Sequence, residues 1–328
     1  MHLLAIDSET LDEADAAVDL GQTPADVVIL SFSDSDLSAV AAAWRADKSA
    51  YPSLRIASLK RLRHPMSVDL YVDSVVQHAK LVIVRSLGGL DYWRYGFERI
   101  AAAALQRGIQ LVALPGDDRP DPRLAALSTA DDEAVDLFDR YFREGGAHNA
   151  THLLRLAARL TGREARNEDP VPLGSVMAVS ESGDAVPVAQ YTLDGVSAAT
   201  AFVIFYRSSL LAADFAPVTR MLAALRKRGL HPVGLAITSL KDPEVIGTLS
   251  AFIDRARPAI IVNATAFSAL RADDTTVLDR ADCPVLQVAL AGHKRAAWDS
   301  SPRGLSATDL AMNVVLPELD GRLFTRAI

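Results

Sequence analysis

Two histidines and a glutamate have the spacing of a metal-binding helix face. Glu144, His148 and His152 stand at positions i, i+4 and i+8, so a continuous helix places the three side chains on one face. Two imidazoles at this spacing can bind a divalent metal. A solvated helix face beside Gly145-Gly146 explains the same pattern and is the favoured interpretation. His148 and His152 are therefore weak metal candidates.

Polar residues follow three apolar runs in the second half of the chain. Arg207 and Ser208 come directly after AFVIFY, while Asp242 and Thr265 follow the next two runs. The carboxyl ends of parallel strands share the edge at which open α/β sheets bind ligands. Arg207 can clamp a carboxylate with two hydrogen bonds, and Ser208 can cap a helix. The four residues predict a substrate-binding cleft, with helix capping as the alternative for each residue alone.

Aromatic residues cluster just after Gly88-Gly89. They are Tyr92, Trp93, Tyr95 and Phe97, and they begin a predicted helix. At the carboxyl end of a strand such rings can stack on a flat ligand. Aromatics in the first turn of a helix equally often close the top of a core. Tyr92 and Trp93 are kept as candidate binding residues, with core packing as the alternative.

Short apolar runs alternate with helical patterns along most of the chain, which predicts βαβ units and parallel sheets. The predicted strands of the first half are 2–6, 27–32, 54–58, 81–85 and 110–114. Residues 161–200 are rich in Pro, Gly and charge, and predict an irregular linker with one short strand. The alternation then restarts, with a predicted helix over 209–228. The expected fold is α/β, with two Rossmann-like domains (1–160 and 201–328) whose sheets are mainly parallel, joined by the linker.

Composition excludes several classes of protein. The net charge of −7 argues against binding to a nucleic-acid backbone, which needs a basic face. A single cysteine, Cys283, permits no internal disulfide and no cysteine-rich metal site. The sequence has neither a secretory leader nor a run of about 20 apolar residues for a membrane span. We therefore expect a cytoplasmic protein that contacts neither nucleic acid nor membrane.

Common catalytic and nucleotide-binding motifs are missing from the sequence. GxxxxGK[ST], GxGxxG after a strand, HExxH and GxSxG all have no match. If ATP drives the reaction, another chain must therefore hydrolyse it.

Five segments carry a family resemblance. HPMSVDLYVDSVVQHAKLVIVRSLGGLDYWRYGFERI (64–100) is similar to a signature near the start of the large, tetrapyrrole-binding subunit of ATP-dependent cobaltochelatases. The strand ends around Tyr206-Arg207-Ser208, Thr238–Asp242 and Asn263–Phe267 then follow in the order of that family. SPRGLSATDLAMNVVLPELDGR (301–322) resembles the stretch that leads into the main body of these subunits and of magnesium chelatase subunits. The resemblance is weakest over 161–200.

The resemblance implies a function and partners. Subunits of this family bind hydrogenobyrinic acid a,c-diamide and Co²⁺, and two AAA+-type partner subunits use ATP and Mg²⁺ to drive cobalt insertion in aerobic cobalamin synthesis. Such a ligase needs carboxylates or imidazoles to take up the ring protons. Glu318 and Asp320 are the nearest such candidates, with a turn at Asp320-Gly321 as the favoured alternative. Family chains are several times longer, so the resemblance implies an N-terminal fragment that is inactive alone, with the catalytic residues beyond Ile328.

Other functions fit the same pattern. A magnesium chelatase large subunit, which inserts Mg²⁺ into protoporphyrin IX, shares the last segment. Two α/β lobes also describe a non-catalytic module that closes on a small molecule. A third alternative is a docking module that contacts the partner subunits without touching the substrate.

Overall fold

A computed structural model describes residues 16–116, 120–181, 184–271, 273–292, 295–299 and 306–322. The predicted strand 2–6 lies outside these ranges. The described chain forms two compact units. The N-terminal unit contains the residues up to Leu173 together with Leu210–Asp214, and the C-terminal unit contains Gly174–Ser209 and the residues from Phe215 onward. Within the described ranges, no helix combines the length and apolar character that a membrane crossing requires.

Four parallel strands form the sheet of the N-terminal unit, in the order β2-β1-β3-β4. In the three strands with near-continuous apolar runs the central residues are fully buried because helices cover both faces, whereas the edge strand Leu54–Ser58 is only partly buried. The described strands are β1 (Val27–Ser31), β2 (Leu54–Ser58), β3 (Leu81–Ser86) and β4 (Gln110–Pro115). All four coincide with predicted strands to within about one residue at each end.

Helices pack on both faces of this sheet, so alternate strand residues enter two different cores. The helices are α1 (Asp34–Ala46), α2 (Pro65–Ser74), α3 (Gly89–Tyr92), α4 (Arg94–Arg107), α5 (Pro122–Ala125), α6 (Asp132–Glu144) and α7 (Gly146–Leu160), with 3-10 turns at Leu59–Arg61 and Val76–His78. Ile83 of β3 packs with α1, α6 and α7, whereas Val82 and Val84 pack with α2 and α4.

Side-chain caps fix where these helices begin and end. Ser33 accepts a hydrogen bond from the backbone N–H of Asp36 at the start of α1, and Asp131 caps α6 in the same way. α4 ends at Gly108, whose φ of 68° suits glycine. The helix predicted over 91–107 is interrupted at Trp93, so it is seen as the end of α3 followed by α4.

Six strands form the sheet of the C-terminal unit, in the order β10-β9-β7-β8-β5-β6. The four strands β7 to β10 are parallel, and β5 runs antiparallel to both β8 and β6. The strands are β5 (Val176–Val179), β6 (Ala185–Pro187), β7 (Thr200–Tyr206), β8 (His231–Ile237), β9 (Ile260–Asn263) and β10 (Val285–Gln287). The expectation of two α/β bodies with mainly parallel sheets is confirmed.

Two sequence predictions differ from the structure in this region. The predicted linker 161–200 contains β5 and β6, whose hydrogen bonds extend the second sheet. The helix predicted over 209–228 is broken, because Ala213 has a positive φ of 51° and Pro217 starts a new helix. The helices are α8 (Arg207–Leu211), α9 (Ala216–Arg226), α10 (Pro243–Ala256), α11 (Arg295–Asp299), α12 (Ala307–Leu310) and α13 (Leu316–Leu319), with 3-10 turns at Val188–Gln190 and Val277–Ala281 and a π-helical turn at Ala311–Val315.

Candidate functional site

Each sheet has one topological switch point, where adjacent strands send their connections in opposite directions. In the N-terminal unit the switch point lies between β1 and β3, and in the C-terminal unit it lies between β7 and β9. Open α/β sheets bind ligands outside the carboxyl ends of such strand pairs. These two edges are therefore the candidate sites.

Polar residues end the strands at the first switch point. Ser58, Ser31 and Arg85 are in register as the last residues of one face of β2, β1 and β3. The Arg85 guanidinium donates to Asp36 Oδ2 at 2.9 Å, and the Ser31 hydroxyl donates to the same oxygen at 2.8 Å. Both charged side chains are about nine-tenths buried, with 9% and 10% exposed. This buried ion pair lies at the carboxyl edge of the first sheet.

Part of the hydrogen-bonding capacity around this ion pair is unused. Arg85 Nε, Ser58 Oγ and Asp139 Oδ1 are buried and have no hydrogen-bond partner among the described residues. The Arg85 guanidinium also lies 5.6 Å from the centroid of the Phe142 ring. Burial raises the pKa of the Asp139 carboxyl above its usual value, although Arg143 beside it opposes that shift. The first edge is thus tightly packed and strongly polar.

The second switch point carries a set of backbone donors. The N–H groups of Ala266 and Phe267 both donate to the Tyr206 hydroxyl, each at 3.1 Å. The next N–H group, of Ser268, donates to Asp320 Oδ2 at 2.9 Å. Lys241 Nζ lies 3.0 and 3.1 Å from the two carboxylate oxygens of Asp320. The loops after β7, β8 and β9 therefore converge on one cluster.

The predicted cleft residues occupy different positions at this edge. Arg207 is half-buried at the start of α8 and donates to the Gly174 carbonyl at 3.4 Å, and Ser208 beside it is exposed. Asp242 caps α10 through a 2.9 Å bond from Glu244 N–H and also accepts from the Thr238 hydroxyl at 3.1 Å. The helix-capping alternative thus describes the Asp242 contacts.

Two further candidates at this edge differ in exposure. Thr265 is buried, and its hydroxyl donates to Asn263 Oδ1 at 2.8 Å. Glu318 is exposed in α13, whereas Asp320 just beyond that helix binds Lys241 and Ser268. Of the two predicted carboxylates, only Asp320 is held at the switch point.

The candidate aromatics of the N-terminal unit separate into an exposed ring and a buried ring. Tyr92 is 48% exposed, and its ring meets Phe32 edge-on with centroids 5.1 Å apart. Trp93 is buried, donates from Nε1 to the Leu62 carbonyl at 2.7 Å, and packs on Phe97. Tyr92 can therefore reach a ligand, whereas the Trp93 contacts are those of a core residue.

His148 and His152 lie on α7, near Glu168 from the following segment. One ligand atom from each of the three residues lies within 4.8 Å of the others. However, His152 Nδ1 accepts a 2.8 Å hydrogen bond from the Glu168 N–H, so the proton of the neutral ring is on Nε2. A metal-bound histidine normally donates from its second nitrogen. This arrangement favours a hydrogen-bonded contact between α7 and the segment over a metal site.

His152 is the buried member of this group. Burial lowers the pKa of its imidazole below the usual value, and the nearby His148 adds to the effect. Glu168 opposes the shift, because its carboxylate stabilises the protonated ring. His152 is therefore held as a neutral hydrogen-bond acceptor.

Sequence reasoning did not select four residues that the structure places at the two edges. They are Arg85, Lys241, Ser268 and Arg322. A strand-end position signalled Arg85, which ends the apolar run LVIVR, and a position shortly after such a run signalled Lys241. Nothing in the sequence signals Ser268 or Arg322, because their contacts join loops that are far apart in the chain.

Comparison with known proteins identifies the family. The family model described as CobN/Magnesium Chelatase matches residues 139–328, more than half of the chain. The chain belongs to this family. The match includes the C-terminal edge with Tyr206, Lys241 and Asp320.

Similarity to individual proteins extends over the whole chain. This chain is 42% identical over 340 residues to the aerobic cobaltochelatase subunit CobN of Sinorhizobium sp. and 38% identical over 331 residues to that of Pseudomonas aeruginosa. Both alignments cover 100% of this chain. The fold resembles the catalytic subunit of cobaltochelatase from Mycobacterium tuberculosis, with a TM-score of 0.66, 25% identity and 90% of this chain covered. The chain spans 27% and 26% of the two relatives and 24% of the solved chain.

Proposed function

We propose that this chain is the N-terminal part of a cobaltochelatase large subunit, which inserts Co²⁺ into hydrogenobyrinic acid a,c-diamide during aerobic cobalamin synthesis. The observation that carries the proposal is the similarity of the whole chain, at 42% and 38% identity, to two proteins named aerobic cobaltochelatase subunit CobN. Two AAA+-type partner subunits supply ATP hydrolysis with Mg²⁺ in this proposal. The complex works in the cytoplasm.

The carboxyl edge of the N-terminal unit supplies an aromatic face suited to a flat ring, and that of the C-terminal unit supplies hydrogen-bond donors suited to carboxylates. Tyr92 offers an exposed aromatic face. Arg207 and Ser208 offer a guanidinium and a hydroxyl at the end of β7. Asp242 and Thr265 are engaged in local hydrogen bonds, so in this proposal they position the loops that carry the contacting residues. Substrate binding, not metal insertion, is the task assigned to these residues.

A visible-absorbance titration tests substrate binding, because a bound corrin ring shifts its spectrum. We expect saturable spectral changes when hydrogenobyrinic acid a,c-diamide is added to the chain, and weaker binding to Tyr92→Ala. The matched control is Tyr95→Ala, which removes another exposed tyrosine ring from the same unit. Equal affinities in all three proteins would show that Tyr92 does not contact the ring. No binding by either this chain or a full-length subunit would reject the proposed substrate.

Magnesium chelatase is the second candidate function, because the matching family model includes it by description. Protoporphyrin IX is therefore the comparison ligand in the same titration. Tighter binding of protoporphyrin IX than of the corrin precursor would favour magnesium insertion. The names of the two relatives favour cobalt.

Catalysis by the isolated chain is a separate prediction. We expect these 328 residues to show no cobalt insertion, even with the partner subunits and ATP, because the proposal assigns the metal-handling groups to the rest of the subunit. The measurement is absorbance of the cobalt corrin product, with the full-length subunit as the positive control. Measurable insertion by the chain would contradict this division of labour.

A further inference from the structure

A carboxylate is held at the second switch point by a cation and a backbone donor. Lys241 Nζ contacts both oxygens of Asp320, at 3.0 and 3.1 Å, and Ser268 N–H donates to Oδ2 at 2.9 Å. We call Lys241 and the Ser268 N–H group the carboxylate cradle. Its three contacts are the charge-assisted bonds that a carboxylate ligand forms in a binding site.

The loop beside the cradle presents successive N–H groups to side-chain oxygens. Thr265 N–H donates to Asn263 Oδ1, and the N–H groups of Ala266 and Phe267 donate to the Tyr206 hydroxyl. With the Ser268 N–H group, four consecutive amides thus bind side-chain oxygens. Three of these amides hold the loop in place through neutral oxygens, and the Ser268 N–H group is the one directed at a carboxylate.

Arg322 strengthens the donors of this loop. Its guanidinium donates to the carbonyls of Thr265 and Ala266, at 2.7 and 2.5 Å. Those carbonyls belong to the same peptide groups as the N–H groups of Ala266 and Phe267. A hydrogen bond to the carbonyl of a peptide polarises its N–H group, so Arg322 strengthens the two bonds that hold this loop to the Tyr206 hydroxyl.

The exposed position of Asp320 allows another carboxylate to replace it in the cradle. Asp320 and Lys241 have 34% and 42% of their side chains exposed, so water and small solutes reach both. An exposed ion pair contributes only about 0.2–1 kcal/mol to stability. Breaking the pair between Lys241 and Asp320 is therefore only a small barrier to replacement of Asp320 by a ligand. Asp320 also follows a four-residue helix and precedes Gly321, whose φ is 87°. The carboxylate is thus presented by a short turn, not by the sheet itself.

We propose that the carboxylate cradle is a ligand subsite, in which Asp320 acts as an intramolecular carboxylate that a carboxylate ligand displaces. The switch point between β7 and β9 is where such a sheet binds its ligands. The subsite suits a carboxylate because Lys241 supplies one positive charge and Ser268 one directed N–H group. The further step, that the ligand is a carboxylate side chain of the corrin precursor, rests on the proposed function.

Succinate binding tests the cradle without the corrin. Amide chemical shifts of Ser268 are followed during titration with sodium succinate, against sodium chloride at equal ionic strength. The tethered Asp320 has a high effective concentration and competes with added ligand. Asp320→Ala is therefore expected to bind succinate about tenfold more tightly than the unsubstituted chain, and Asp320→Ala with Lys241→Ala is expected to lose that binding.

The control variant is Asp254→Ala. Asp254 also forms an exposed ion pair in the C-terminal unit, with Arg280 at 2.6 Å, but it is not part of the cradle. It is expected to leave the Ser268 titration unchanged. Asp320→Asn keeps the side-chain shape while removing the charge, so it serves if the alanine variant fails to fold, with an expected affinity above that of the unsubstituted chain.

Equal succinate affinity in the unsubstituted chain and in a folded Asp320 variant would overturn the proposal, and Asp320 would then be a structural contact only. Absence of any Ser268 shift in the Asp320 variants would overturn it as well. A positive succinate result with no corrin binding would retain the subsite and reject the corrin as its ligand. The failure of the subsite and that of the proposed function are therefore distinguishable.

Discussion

An ion pair lies at the carboxyl edge of each of the two sheets, and the two pairs differ in burial. At the first edge, Arg85 and Asp36 have 9% and 10% of their side chains exposed. At the second edge, Lys241 and Asp320 have 42% and 34% exposed. A buried charge that loses its partner cannot recover its hydration, whereas an exposed charge can. Loss of the first pair therefore leaves a buried charge unpaired, whereas the Asp320 carboxylate of the second pair can be replaced by another carboxylate at little cost.

The two pairs also differ in how far apart their residues lie in the sequence. Asp36 is in the first turn of α1, and Arg85 lies 49 residues later on β3, the strand next to β1 in the sheet. Lys241 and Asp320 are 79 residues apart, and Asp320 follows the short helix α13. The first contact is part of the sheet and its covering helix. The second contact joins the sheet edge to a segment that arrives later in the chain.

The largest expected effect is that of Arg85→Ala. It leaves Asp36 buried without its cation, and we expect a loss of about 3–5 kcal/mol in the free energy of unfolding of the N-terminal unit. Urea unfolding is followed by tryptophan emission in a Trp298→Phe background, since Trp44 and Trp93 then report only on this unit.

The double variant Arg85→Met with Asp36→Leu sharpens this test. Replacement of both charges by apolar side chains removes the unpaired charge, so we expect a smaller loss than for Arg85→Ala. A double variant as unstable as the single one would show that the charges themselves are not the cause. A single-variant loss below about 1 kcal/mol would contradict the assignment of a buried structural pair.

At the second edge, Tyr206→Phe is expected to have an intermediate effect. It removes the oxygen that accepts from the N–H groups of Ala266 and Phe267. Two backbone donors without an acceptor correspond to a loss of about 1–2 kcal/mol, reduced by water that reaches this half-buried site. Hydrogen exchange in peptides covering β7 and β9 measures the loss.

The control for Tyr206→Phe is Tyr95→Phe. The Tyr95 hydroxyl donates to the exposed Asp69, so its removal leaves no buried backbone group unpaired. We expect its effect on exchange to be smaller than that of Tyr206→Phe. Equal effects would mean that the Tyr206 hydroxyl does not hold the loop.

The pH dependence of the N-terminal unit depends on His152. Its pKa is lowered in the folded chain by burial and by His148, with Arg155 adding and Glu168 opposing. The unfolded chain therefore binds more protons once pH falls to about 6.5, and the free energy of unfolding decreases as pH falls from about 7.5 to about 5.5. The slope from one group is at most about 1.4 kcal/mol per pH unit.

His152→Asn is expected to flatten this dependence, because its side-chain oxygen can accept from Glu168 N–H without titrating. His78→Asn, which replaces an exposed histidine of the same unit, serves as the control and keeps the slope. An unchanged slope in His152→Asn would assign the pH dependence to other groups.

The sequence predicted the strands better than the contacts at their ends. Leu54–Ser58 was predicted with its observed bounds, because a short run of strand length between turns has few alternatives. β5 was absorbed into a predicted linker, since a four-residue strand is defined by its pairing with β8 and β6 and not by its own pattern. Part of the family resemblance rested on strand-end residues, of which Asp242 and Thr265 are bound by local hydrogen bonds in the structure.

The candidate site was predictable only in part for the same reason. The rule that ligands bind at the carboxyl ends of parallel strands selected Arg207, Asp242 and Thr265, which the structure does place after strands. The rule does not say which of these side chains form local hydrogen bonds instead of contacting a ligand. The hydroxyl of Thr265 is used by Asn263, two residues away. The pairing of Lys241 with Asp320 depends on a loop closure that no local pattern encodes.

The smallest expected effect is that of Asp320→Asn on stability. The exposed pair with Lys241 contributes less than about 1 kcal/mol, and the amide oxygen that this substitution introduces would still accept from Ser268 N–H, so the C-terminal unit should unfold almost as before. The same hydrogen-exchange measurement on β7 and β9 checks this, in about 0.1 M and in about 1 M salt, where the Debye length shrinks to about 3 Å and the remaining difference should vanish. A loss comparable to that of Arg85→Ala would mean that the second edge is held as firmly as the first. It would remove the physical basis for exchange of Asp320 against a carboxylate ligand, since a ligand cannot displace a contact on which the fold of the unit depends.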